Sequence, residues 1–301
     1  MATFTEKVKR LERIRRTLKR KYGEIVRLPV THPVEHAIRT VLAEEVTGRD
    51  VEAAVERIRD HFIDFNDLRV SRPREIREVL GEAFPLASHK ARVIPRLLDQ
   101  VFKRHNSMVW DFLEEMGKIE AREFFEALEE VRPFVAATMA RDCAGAHAFP
   151  VDRDVGRVLG RLGLVDTETD SEVDMQSFLE RAVRSNQAWE VHALVKRLAE
   201  DVCLVDEPTC SACSLRKACP TAEERAARRK RKKKAAAKKK KKTARPREKA
   251  AGKKASAKGR KTKRDAKAPA RRKSAKGKGG SRAKNKKKTA RRKTARRRKR
   301  S

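Results

Sequence analysis

Apolar residues recur every third or fourth position along residues 8–202, the spacing of helices with one buried face. Val8, Leu11, Ile14 and Leu18 form the first such stripe among Lys and Arg, and Gly23 is placed to end it. A short extended piece over residues 25–30 follows. Thr31, His32 and Pro33 then open a second helix carrying Val34, Ala37, Ile38, Val41 and Leu42. Val51, Val55, Ile58 and Phe62 mark a third, and Ile76, Val79 and Leu80 mark another between Pro73 and Gly81. Further helices are expected over residues 87–105, 109–116, 118–129, 132–142, 152–162, 173–183 and 187–202. Alternating strand patterns are missing and the connections are short, so the expected fold class is all-α.

That pattern stops after Pro220. From Thr221 onward there is no Leu, Ile, Val, Met, Phe, Trp or Tyr. Residues 221–301 hold 42 Lys/Arg and 4 Asp/Glu, whereas residues 1–220 carry a net charge of −2. A segment that cannot bury apolar surface does not recover its ordering entropy, and residues 221–301 are expected to be a disordered basic tail. Such charge density binds phosphates through counterion release, without reading sequence. The organisation expected is an amino-terminal helix and extension over 1–30, a helical domain over 31–220, and the tail. No apolar run approaches the roughly 18 residues that span a bilayer. The charged opening helix does not resemble a signal peptide, so no membrane association is expected.

Four of the five cysteines, Cys203, Cys210, Cys213 and Cys219, fall in one C-x6-C-x2-C-x5-C loop at the end of the helical part. Four thiolates so spaced, in a chain without secretory features, point to one inorganic centre rather than to disulfides. The centre is either a tetrahedral zinc ion or a [4Fe-4S] cube, and a single C-x2-C flanked by wider gaps leans towards the cube. Cys143 is read as a small buried hydrophobe. His32, His89, His147 and His192 show no metal or triad spacing and are read as ordinary polar or capping residues.

The cysteine loop, lying just after a helical domain, resembles the iron–sulfur loop of the endonuclease III-like, helix–hairpin–helix DNA glycosylases. Upstream landmarks agree: Lys90-Ala91 opening a long helix, Glu126-Ala127-Leu128 before the hairpin, and Pro150-Val151-Asp152 before Val155, Arg157 and Val158. The resemblance implies a two-lobed helical domain that clamps double-stranded DNA and flips a damaged base into its cleft. It assigns Asp152 to stabilising positive charge on the sugar as the base departs. Lys90 and Arg132 are candidate DNA contacts, and Cys203, Cys210, Cys213 and Cys219 the cluster ligands. It implies a monomeric base-excision-repair protein, cytoplasmic and nucleoid-associated, or nuclear in a eukaryote.

The hairpin departs from the family pattern. Glu130 and Arg132 occupy its two glycine positions, and Phe134 stands where bifunctional members carry the lysine that forms a Schiff base. Base removal without a lyase step is therefore the activity expected. The alternative is a catalytically inactive DNA-binding or architectural protein that keeps the cluster. Asp152 also suits a helix N-cap, a role compatible with the catalytic one.

Overall fold

The computed structural model describes residues 3–46 and 48–243. They form thirteen helices and one 3-10 turn, with no strand among the described residues. In order these are α1 (Phe4–Tyr22), α2 (Pro33–Leu42), α3 (Gly48–His61), α4 (Phe65–Val70), α5 (Pro73–Leu80), α6 (Ala87–His105) and α7 (Phe112–Glu115). Then come α8 (Lys118–Glu126), α9 (Pro133–Ala144), α10 (Arg153–Arg161), α11 (Glu172–Ala182), α12 (Ser185–Asp201), the 3-10 turn Arg216–Ala218 and α13 (Pro220–Thr243). Among the described residues no helix is long and apolar enough to cross a membrane.

The helix starts follow local chemistry. Proline stands at the start of α2, α5 and α9, where its missing N–H costs nothing. Thr3 and Glu6 close a capping box on α1, the Thr3 hydroxyl accepting from the Glu6 N–H and the Glu6 carboxylate accepting from the Thr3 N–H at 2.8 Å. Ser171 and Asp174 do the same for α11. Helix α4 was not expected from the sequence, because its six residues are too few to display a helical period.

Two apolar cores divide the helices into lobes. The first gathers α2 to α9 around Leu42, Leu68, Ile76, Leu98, Trp110, Phe125 and Met139. The second gathers α10, α11 and α12 around Phe149, Val155, Leu159, Leu179, Val195 and Leu198, and it includes Leu11, Ile14 and Leu18 of α1. Helix α1, expected to stand apart with the extension over 1–30, thus belongs to the core of the later lobe. Arg15 and Lys19 each reach Glu190 of α12 at 2.6 Å, and Lys21 reaches Asp201 at 2.8 Å. Such partly exposed pairs are worth about 0–1 kcal/mol each, so the apolar stripe supplies most of the attachment.

The expected disorder from residue 221 is corrected for the first part of that segment, since α13 runs to Thr243. Lys, Arg, Ala and Glu are strong helix formers. Its first turn is anchored, where Ala222 is buried. The remaining residues of the expected tail lie outside the described residues.

Leu18 is wholly buried where α1 meets α12. Leu18→Ala is expected to cost about 2–5 kcal/mol in chemical denaturation, and Arg13→Ala on the exposed side of the same helix less than about 0.5 kcal/mol.

Candidate active site and cysteine loop

A cleft of about 720 Å³ lies between the lobes. Glu45 and Arg132 line it from the first lobe, and Asp152, Arg153, Gly156, Arg157 and Arg161 from the second, with Asp170 and Glu172 beside them. Asp152 caps α10, its Oδ1 accepting from the Val155 N–H at 2.8 Å. Its other oxygen, Oδ2, accepts from Lys196 Nζ on α12 at 2.5 Å, and the same ammonium lies 3.4 Å from Asp154 Oδ2. Only 6% of Asp152 is exposed. Burial alone pushes the Lys196 ammonium down, but Asp152 and then Asp154 outweigh it and hold Lys196 above its ordinary value. The cap and cleft roles read from the sequence for Asp152 thus coincide in position, and Lys196 is the partner that sequence reasoning missed. Its signal was faint: one lysine among the buried positions of α12, seven residues before Cys203.

Arg132 donates to Glu44 at 3.3 Å and to Glu172, so its charge is spent on two carboxylates. Arg153 meets Glu45 at 3.2 Å. Both Arg132–Glu172 and Arg153–Glu45 join the two lobes across the cleft. The hairpin keeps the backbone of a glycine turn without the glycine: Glu130 has φ 62°, a left-handed conformation costing about 1–2 kcal/mol for a residue with a side chain. Its carboxylate is neutralised by Arg92, at 3.2 Å, and by Arg96, both on α6. Arg132, engaged by Glu44 and Glu172, takes no part in this pairing.

Two residues singled out from the sequence are placed away from the cleft. Lys90 is wholly buried, donating to the carbonyls of Leu42 at 2.9 Å and Glu44 at 2.6 Å, with Phe84 beneath it. It ties α6 to the end of α2 and cannot reach a phosphate, which corrects the expected DNA contact. Phe134 is packed into the first core and offers no amine to the cleft. Cys143 is half-buried, and burial pushes its thiol up to about 12, in keeping with an inert apolar role.

Cys203, Cys210, Cys213 and Cys219 line one small cavity together with Leu162, Leu198, Val202 and Ala222. Burial pushes the thiols of Cys213 and Cys219 up. Among the described residues, no group of three or more His, Cys, Asp or Glu is set to hold a single metal ion. Arginines of α10 stitch the loop down: Arg161 donates to the Leu204 and Val205 carbonyls, each at 2.5 Å, and Arg157 to the Cys203 carbonyl. Cys219 Sγ donates to the Arg161 carbonyl at 3.2 Å, and Arg10 of α1 reaches the Ala218 carbonyl at 2.6 Å.

No family model matches the chain. Endonuclease III of Sulfolobus acidocaldarius is 21% identical over 184 residues, covering 60% of this chain and 79% of that protein. Among solved structures, endonuclease III in a non-covalent complex with DNA superposes with a TM-score of 0.61 at 20% identity, covering 75% of this chain and 99% of that one. A thermostable thymine-DNA glycosylase gives 0.55 at 17% identity, covering 72% and 98%. The chain therefore has the two-lobed helical fold of the endonuclease III-like DNA glycosylases, as the cysteine spacing led one to expect.

The buried Lys90 makes a pH prediction. Burial pushes its ammonium down to about 8 from an ordinary 10.5, against the pull of Glu44 and Glu45. Between those values the unfolded chain binds more protons than the folded one, so stability from this group rises with pH. Urea denaturation should show wild type gaining on Lys90→Met from pH 8 to 10.5, and a constant difference would contradict the assignment.

Proposed function

We propose that the protein is a DNA-binding base-excision-repair glycosylase that removes a base without a lysine-dependent lyase step. The observation that carries the reading is the carboxylate of Asp152, at the wall of the cleft between two lobes of an endonuclease III-like fold, capping the helix whose arginines hold the cysteine loop. A glycosidic bond inside a duplex is inaccessible, so the target nucleotide leaves the stack and enters the cleft. As the bond to the base stretches, positive charge grows on the sugar, and a fixed carboxylate lowers the energy of that state. Water then takes the vacated sugar carbon. No amine stands at Phe134 to form a Schiff base, so the product is an abasic site in an uncut strand.

Cys203, Cys210, Cys213 and Cys219 would hold a [4Fe-4S] cluster. Four thiols lining one cavity can each ligate one iron of such a cube. Bound there, the group supplies a cross-link that fixes the loop beneath α10 and beside α12. DNA affinity is assigned to α13 and the residues beyond it. The helix holds thirteen Lys/Arg against two Glu, and its second residue, Thr221, lines the cleft. The cleft itself pairs most of its arginines with carboxylates, so it contributes less.

Purified full-length chain, its iron and sulfide measured, is expected to release free base from at least one lesion in a panel of damaged duplexes. Asp152→Asn should lose that activity by a factor of about 10² or more, the scale of removing one electrostatic group from a transition state. Release of no base across the panel would favour a catalytically silent DNA-binding protein instead. A chain ending at Arg229, which keeps the buried Ala222, should bind duplex DNA more weakly. Its slope against log salt concentration should be shallower by about 0.9 for each phosphate it no longer neutralises. Unchanged affinity and slope would contradict the tether.

A further inference from the structure

Asp152 is nearly buried, yet the proposed function needs it charged and aimed. A carboxylate withdrawn from water tends to take up a proton unless something offsets the lost hydration. The structure offers two groups. The Val155 N–H at the start of α10 holds Oδ1 at 2.8 Å, and Lys196 Nζ holds Oδ2 at 2.5 Å. One is a feature of any capped helix. The other is a side chain from a different helix, itself mostly buried, with 22% of its side chain exposed.

We propose that Lys196 is a positioning residue for Asp152, pairing with its Oδ2 from α12 and holding the carboxylate in one orientation. The inference rests on Asp152 being the working carboxylate of the cleft. Lys196 reaches Asp152 from α12 and is not one of the residues that line the cleft. The charges around it agree with a fixed ammonium: Asp152, Asp154 and Glu200 all favour its charged form. A protonated amine is a donor and not a nucleophile, which separates this role from the one vacated at Phe134.

The placement also connects the two features of the second lobe. Lys196 and Cys203 are seven residues apart. Lys196 stands five residues, about one and a half helical turns, before the end of α12 at Asp201. Cys203 N–H donates to the Leu198 carbonyl at 2.8 Å, so the cysteine loop closes directly onto the end of α12. The loop fixes the register of the helix, and the helix fixes the ammonium against Asp152.

The test uses full-length chain carrying Lys196→Met, Lys196→Arg or Asp152→Asn. Single-turnover base release and duplex affinity are measured separately for the lysine variants. Lys196→Met should lower the rate by about 10²-fold, the scale of a misplaced catalytic group, with affinity unchanged, and Lys196→Arg should recover most of the rate. A wild-type rate in Lys196→Met would overturn the proposal. So would a borohydride-trapped covalent DNA adduct that disappears in Lys196→Met, because that would make Lys196 a nucleophile. The pairing itself is read without activity, by competitive acylation and mass spectrometry. In Asp152→Asn the Lys196 amine should be modified faster, by about tenfold for each unit its pKa falls. Equal modification in wild type and Asp152→Asn would overturn the pairing even if the glycosylase reading stands. If wild type releases no base but Lys196 responds to Asp152→Asn, the fault lies with the assigned activity and the pairing holds.

Discussion

The buried side of α12 is the constraint on which the second lobe depends. Ala188, Val191, Leu194, Val195, Leu198 and Ala199 are all withdrawn from water along it. Helix α1 docks on one part of that surface and α10 on another. The last turn delivers Cys203 to the cysteine cavity, and the one lysine set against α10 meets Asp152. Burial of these side chains, at about 25 cal/mol per Å² of apolar surface, outweighs the exposed ion pairs that decorate the α1 junction. The site is therefore precise because it stands on packed helices rather than on a loop.

Electrostatics divide the work between the cleft and the tail. Inside the cleft the arginines are already engaged, Arg132 by Glu44 and Glu172, Arg153 by Glu45, and Arg157 by Asp154 and a loop carbonyl. A phosphate entering there must compete with carboxylates, and residues 1–220 carry no net positive charge to draw it in. The positive charge of the chain lies instead in the Lys/Arg-rich segment beginning at α13, where the proposed attraction to phosphates would be non-specific and sensitive to salt.

Most of the helices were legible because their apolar stripes are long and their starts carry Pro, Ser, Thr or Asp. The cysteine spacing and the segment around Asp152 identified the fold, since both are local in sequence. What stayed hidden was long-range. Nothing in the stripe of Leu11, Ile14 and Leu18 tells which lobe it will join, and the Arg15–Glu190 pair that marks its docking spans 175 residues. Lys90 looked like a helix-start lysine free to meet a phosphate, and only the packing of Leu42 and Glu44 against it reveals a buried strut. Glu130 read as a lost glycine. The fold keeps the turn and cancels the charge with Arg92 and Arg96. Lys196 was one lysine among many until α10 was laid across α12. Helix α13 was missed because its composition forbids a core, although it does not forbid a helix.

The chemistry proposed for this cleft is that of a carboxylate, Asp152, with no amine nucleophile at Phe134. The most direct measurement follows one lesion-bearing duplex with the purified full-length protein, scoring free base and strand breaks on the same sample before and after hot alkali. The predicted result is free base with an intact strand that breaks only in alkali. Strand cleavage by the protein itself, before alkali, would contradict it.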